Sequence, residues 1–140
     1  MMSYLEKLRS FLNENDRFAA ANDMMITSIA EGHAEGSFTA GKNHCNGLGV
    51  TQGGALYTFA DFVFAGAANS YGEQAIGMNS NISYVRPGLS TSYTAIADVV
   101  SRGKRSGVFT VQVFDDNKRL IAHGTMTAFF LGKPFFETEE

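Results

Sequence analysis

The chain has 140 residues, 44% of them hydrophobic and 18% charged, with a formal net charge of −3. That composition excludes an intrinsically disordered chain and suits one domain, residues 1–140, with a single core. The acidic balance gives no general attraction for nucleic acid or an anionic membrane, and no apolar run approaches the roughly 20 residues of a bilayer span. One cysteine, Cys45, leaves no internal disulfide, and the charged N-terminus lacks a signal-peptide core, so a cytoplasmic protein is expected.

In chain order, Ser3-x-x-Glu6 is a capping box, followed by Leu5, Leu8, Phe11 and Leu12 at helical spacing. A helix over residues 3–15 is predicted, within an N-terminal helical segment reaching residue 20. Met24 to Ala40 reads as two strands with a turn near Gly32. The stretch GKNHCNGLGVTQG, residues 41–53, is a loop rich in glycine and asparagine. Residues 54–70 then form a helix, apolar on every side and so expected to be buried, with Asn69, Ser70 and Gly72 as its stop signal. Strands are predicted over 75–86, ended by Pro87-Gly88, and over 91–102, ended by Gly103. Residues 107–115 and 119–130 make a hairpin, and the tail FFETEE frays at its end. The expected fold is α+β, a sheet of five to six antiparallel strands wrapped around the long central helix. Its second face is left to solvent or a partner.

Between Lys42 and Glu73 the only formal charge is Asp61, in the middle of that apolar helix. An ionised carboxylate buried there costs several kcal/mol unless compensated, which marks a functional candidate; a structural carboxylate is the plainer alternative. Gly54, Tyr57, Thr58, Phe64, Ala65 and Ala68 lie within about 60° of Asp61 around the axis, and four of the six are small. Leu56, Phe59 and Val63 face the other way, toward the sheet. Gly53-Gly54 leaves backbone N–H groups bare at the helix start, reinforced by the helix dipole, where they can hold an oxyanion. Gly53 and Asp61 are 61 − 53 = 8 residues apart, about 12 Å along the axis. A reacting carbonyl needs both groups about 3 Å away, so one helix cannot supply both, whereas two antiparallel copies in a two-fold dimer can.

The set Asn46-Gly47, Gln52-Gly53-Gly54, Ala60-Asp61, Ala65 and Asn69-Ser70-Tyr71-Gly72 resembles the hotdog-fold thioesterases of the phenylacetic-acid-pathway type. Ile82-Ser83-Tyr84-Val85-Arg86-Pro87-Gly88 and Arg102-Gly103-Lys104-Arg105-Ser106-Gly107-Val108 continue the resemblance, which spans about residues 22–130. It implies the hotdog fold, a homodimer or a homotetramer of two dimers, and hydrolysis of an acyl-coenzyme A thioester without cofactor or metal. By position Asp61 would be nucleophile or general base, Gly53 N–H would polarise the carbonyl, and Asn46 would place water or substrate. The family usually carries His where this chain has Gln52. A Gln amide hydrogen-bonds but does not titrate, so an orienting role is expected of it.

Gly54 and the basic cluster of Arg102, Lys104 and Arg105 are the candidate residues for binding substrate and coenzyme A, the cluster reading either as a phosphate anchor or as a solvated turn. His44-Cys45 is a poor nucleophilic pair, because adjacent side chains rarely face each other and no third group orients them. His33, His44, His123 and Cys45 lack zinc-ligand spacing. Asn79, Ser80 and Asn81 either reach the site or line a solvent-facing strand. Phe59, Phe62 and Phe64 are candidates for an acyl pocket. A non-catalytic acyl-CoA sensor of the same fold is the alternative, and a dehydratase would want a histidine base that the helix lacks.

Overall fold

The computed structural model describes residues 1–137, so the end of the FFETEE tail lies outside the described residues. Helix α1 spans Tyr4–Asn15 and begins with the serine half of the expected capping box, Ser3 Oγ accepting the Glu6 N–H at 3.2 Å. The N-terminal segment is not one helix to residue 20. It breaks at Asp16, which is extended (φ −79°, ψ 93°), and restarts as α2, Arg17–Ala21. Asp16 causes the break: its carboxylate takes the Ala19 N–H at 3.0 Å and caps the new helix.

The chain continues through β1 (Met24–Ala30), β2 (His33–Thr39), a 3-10 turn at Lys42–His44, α3 (Gly53–Ala68), a second 3-10 turn at Asn69–Tyr71, and β3 (Glu73–Tyr84). Strands β4 (Ser92–Arg102), β5 (Ser106–Asp115) and β6 (Leu120–Pro134) follow. All six strands join one antiparallel sheet in the order β1-β2-β4-β5-β6-β3. Helix α3 starts at Gly53, one residue earlier than expected, and ends at Ala68, two residues short of the expected 70; the 3-10 turn that continues it stops at Gly72, whose φ of +100° is costly for any residue but glycine.

The sheet curls around α3. Leu56, Phe59 and Val63 are at most 2% exposed and seat the helix on the inward side chains of β4 and β5, among them Ala95, Ala97, Phe109 and Val111. Contact is closest at β2: a Cβ on Gly36 would lie 2.5 Å from Val63 Cγ2 and 2.8 Å from the Met25 carbonyl oxygen. The helix is not buried on every side, however. Gly54 and Asp61 are exposed, and Tyr57, Thr58 and Ala65 are half-buried. Six strands from one chain cover only part of its circumference, and the stripe left open is the one that bears Asp61.

The two sheet edges differ. The β1 edge is closed locally by Asn13 of α1, whose side-chain amide donates to the Ile26 carbonyl at 2.9 Å and accepts the Ile26 N–H at 2.8 Å. Strand β3, 12 residues long, pairs among the described residues with β6 alone and is exposed from Ile76 to Asn81, with Ile76 and Met78 54% and 60% exposed.

Candidate active site at the start and open stripe of the central helix

The two glycines at the α3 start are set by their neighbours. A Cβ on Gly53 would meet the Tyr84 ring at 3.1 Å, and the Tyr84 hydroxyl donates to the Gly53 carbonyl at 3.0 Å. A Cβ on Gly54 would lie 2.7 Å from Gln52 Oε1, so only glycine lets the Gln52 side chain fold over the helix end. Gln52 is the N-cap residue; its carbonyl accepts the N–H groups of Ala55 and Leu56, and its own N–H donates to the His44 carbonyl at 2.7 Å. The N–H groups of Gly53 and Gly54 have no acceptor among the described residues, so the helix opens with two free donors at its positive dipole end.

Beside them lies a half-open recess of about 300 Å³. It is lined by Phe18 of α2, Asn22 just past the end of α2, Met24 of β1, residues 43–45 of the 3-10 turn and its end, and Gln52, Gly54, Ala55 and Thr58 at the start of α3. Its lining holds no lysine, arginine or carboxylate.

Asp61 stands farther along the same stripe, in a second recess of about 300 Å³ shared with Phe64 and with Gly77, Met78, Asn79 and Ser80 of β3. Asp61 Oδ1 lies 3.9 Å from where a Gly77 Cβ would be. The β3–β6 register slips between Gly77 and Asn79, a bulge that turns this edge toward the carboxylate. Tyr57 and Ser80 are joined through their hydroxyls, which ties β3 to α3 next to the recess. Asp61 has no hydrogen-bond or ion-pair partner among the described residues. Although exposed by area, it is crowded enough that desolvation, and secondarily the charge of Asp16, hold its carboxyl above the usual value. The exposure reflects the open side of the recess, the desolvation its helix and β3 walls.

Of the other residues singled out in the sequence, Asn46 closes its own loop: its Oδ1 accepts the N–H groups of Leu48 at 2.9 Å and Val50 at 3.3 Å. Within one chain it joins neither recess. Arg102 pairs with Glu73 at 3.5 Å and stacks over Tyr71, 4.0 Å from the ring centroid, at the far end of α3 from Gly53. Lys104 and Arg105 line a shallow recess with Glu73 and residues 129–132, and no carboxylate pairs with them among the described residues. The basic cluster and Gly54 are therefore at opposite ends of the helix within one chain. Phe59 and Phe62 are core residues, and of the three phenylalanines only Phe64 reaches a recess. His44 is buried, with Nδ1 accepting the Gly41 N–H and Nε2 facing Asn22, so neither nitrogen is free for Cys45. The α2 wall of the first recess escaped the sequence reading; Asp16, a capping residue four positions after Leu12, was the available signal.

The thioesterase superfamily model matches residues 48–122, which include the helix start, Asp61 and β3. The acyl-coenzyme A thioesterase PaaI of Escherichia coli is 34% identical over 110 residues, covering 78% of this chain and 79% of that protein. The solved E. coli PaaI structure superposes with a TM-score of 0.89 at 30% identity, covering 93% and 95% of the two chains. A mutant of the phenylacetic acid degradation protein PaaI of Thermus thermophilus matches with a TM-score of 0.77 at 30% identity, over 81% of this chain and 98% of that one. A Streptococcus mutans protein solved bound to acetyl-CoA matches with a TM-score of 0.75 at 25% identity, over 79% and 90%. An antiparallel sheet wrapped on one helix, with a carboxylate and free N–H donors along it, defines a hotdog-fold protein. The chain belongs to the thioesterase superfamily, within its PaaI-like type.

Proposed function

We propose that this chain, acting as one domain, hydrolyses an acyl-coenzyme A thioester to the free acid and CoA. The observation that carries this reading is the pairing, along one open stripe, of two free N–H donors with an unpartnered, desolvated carboxylate. In water attack, Asp61 takes a proton as the water oxygen adds to the carbonyl carbon. The oxyanion is held by Gly53 N–H, with Gly54 beside it, and collapses to release the CoA thiolate. In direct attack, the Asp61 carboxylate adds instead and a mixed anhydride is then hydrolysed. Gln52 orients the helix start, and the free amide of Asn46 contacts water or substrate.

Eight residues of helix separate Gly53 from Asp61, so the site is assembled from two chains, the helix start of one facing Asp61 of the other. Support comes from the bare β3 edge, which suits antiparallel pairing with a second copy, whereas Asn13 closes the β1 edge. Helix α3 ends at Ala68, 68 − 61 = 7 residues and about 10 Å along the axis beyond Asp61, and the 3-10 turn that carries Tyr71 follows it. Lys104 and Arg105, free of carboxylate partners among the described residues, take CoA phosphates beyond Asp61, on the side away from their own helix start, while Arg102 is held by Glu73 and Tyr71 beside them.

A panel of acyl-CoA thioesters with free-thiol detection tests the reading: wild type releases CoA, and Asp61→Asn loses at least about 100-fold in kcat. Equal turnover by the two proteins would sink it. A single turnover in oxygen-18 water tests for direct attack, since label enters Asp61 only when a mixed anhydride forms and water adds to its Asp61 carbonyl carbon.

A further inference from the structure

His44 was singled out in the sequence only to be set aside as half of a nucleophilic pair, and its surroundings give it another task. The ring is buried at 7% exposure and lies edge-on to Phe38, with centroids 4.9 Å apart. Nδ1 is 2.9 Å from the Gly41 nitrogen. A backbone N–H can only donate, so Nδ1 carries no proton and the ring's hydrogen sits on Nε2. Nε2 then donates to Asn22 Oδ1 at 3.1 Å, and the Asn22 amide donates to the Phe18 carbonyl at 2.8 Å. Both nitrogens are thus spent on fixing the 3-10 turn: one on Gly41, the residue that caps its start, the other on Asn22 at the end of α2.

The backbone of the same residue reaches the site. The His44 N–H donates to the Gly41 carbonyl at 3.0 Å, and the His44 carbonyl accepts the Gln52 N–H at 2.7 Å. Gln52 caps α3, its carbonyl accepting the N–H groups of Ala55 and Leu56, and its peptide with Gly53 supplies the first free donor. The side-chain amide of Gln52 bonds nothing among the described residues, and the N-cap makes no side-chain cap bond. The direction of the free N–H groups therefore depends on the Gln52 backbone, which is anchored on one side by His44.

We infer that His44 is a positioning residue, clamped by Gly41 and Asn22 so that its carbonyl fixes the Gln52 peptide and aims the Gly53 and Gly54 N–H groups. Its side chain, spent on Gly41 and Asn22, acts on the reaction only through the Gln52 peptide. Asn22 shares the role by holding the ring's second nitrogen. The inference rests on the thioesterase reading for its catalytic consequence but not for its structural one.

His44→Leu, His44→Asn and Asn22→Leu in the full chain test it, read by amide hydrogen exchange and by steady-state kinetics. The Asn side chain keeps an acceptor for the Gly41 N–H. Exchange at Gln52 is expected to quicken about tenfold or more in His44→Leu, with the α3 core amides of Phe59 to Val63 unmoved, and to return to within about threefold of wild type in His44→Asn. The kcat of His44→Leu is expected to fall about 10- to 100-fold with KM within about threefold, and His44→Asn to recover most of it, since one misaimed oxyanion donor costs up to about 10³. A merely structural histidine would lower Tm without this split. Asn22→Leu is expected to move both readouts the same way by less. Unchanged Gln52 exchange, or faster exchange with unchanged kcat, in either Leu variant overturns the inference, so it stays testable even if His44→Leu does not fold. Failure of the thioesterase reading would look different: no turnover by wild type, with the exchange pattern as expected.

Discussion

A carboxylate pushed above its ordinary proton affinity has a cost that the fold carries at neutral pH. Asp61 is raised by desolvation and then by Asp16, with no donor to offset either. The folded chain consequently holds the Asp61 proton more tightly than the unfolded chain does. The sign follows from linkage: stability falls as pH rises from the unfolded value, about 4, through the raised folded one. Asp61→Asn removes the charge while keeping the shape. Its Tm should exceed that of wild type at pH 7, and the gap should close below about pH 4, where the unfolded carboxyl is protonated too. Thermal melts across that range check it, and a lower Tm at pH 7 would mean that the ionised carboxylate has a stabilising partner. The sequence made this residue visible as a lone charge among apolar neighbours. It did not reveal the residue's exposure, because that depends on how much of the helix one chain's sheet can wrap, a property of strand order and curl rather than of any local pattern.

Elements meet here through small residues and one charged cluster. Gly36 of β2 lets Val63 and Phe59 of α3 approach, since a methyl at that position would sit 2.5 Å from Val63 Cγ2. Gly36→Ala should therefore destabilise the protein by about 1–3 kcal/mol, the usual range for overpacking a core, read from urea denaturation. On the outer face, His33 of β2 bonds Asp98 of β4 at 2.6 Å and Glu35 at 3.0 Å, and Asp98 first and Glu35 second raise its proton affinity. A raised histidine stabilises fully below its unfolded value, about 6.5, and the gain is lost as pH rises through the folded one. The Tm difference between wild type and His33→Gln should be present at pH 6 and shrink by pH 9. A difference that grows with pH would contradict the pairing. The strands themselves were legible, because β-branched and aromatic runs between Gly, Pro and Asn breaks admit little else. The end of the first helix near residue 15 was legible from the periodicity of Leu5, Leu8, Phe11 and Leu12; its restart as α2 was not, since that depends on the capping geometry of the Asp16 side chain. Nor was the diversion of Arg102, which its sequence neighbours Lys104 and Arg105 made look like part of one cluster while Glu73 and Tyr71 meet it only through the sheet.

At the scale of the molecule, the question is whether one site needs two chains. The stripe from Gly53 to Asp61 is too long for a single thioester carbonyl to touch both ends, and β3 offers a bare edge on which a second copy can align antiparallel. If so, two inactive variants damaged at opposite ends should complement each other. Asp61→Asn lacks the carboxylate. Gly53→Val drives a side chain into the Tyr84 ring, which a Cβ alone would meet at 3.1 Å, and so disturbs the donors. In a homodimer of either variant both sites carry a defect. In a mixed dimer one site collects both defects and the other collects neither. Random pairing makes half the dimers mixed, each with one intact site of two, so co-expressed variants should regain about a quarter of wild-type activity. Differential tags that isolate the mixed dimer should raise this to about half. If each chain instead held a complete site, every site in the mixture would carry one defect and activity would stay at the level of the parents. Ile76→Arg provides the control on assembly: a charge on the β3 edge should shift the protein toward monomer in sedimentation and abolish turnover while Asp61 and Gly53 are untouched. A monomer of this variant that retained full turnover would place the whole site within one chain.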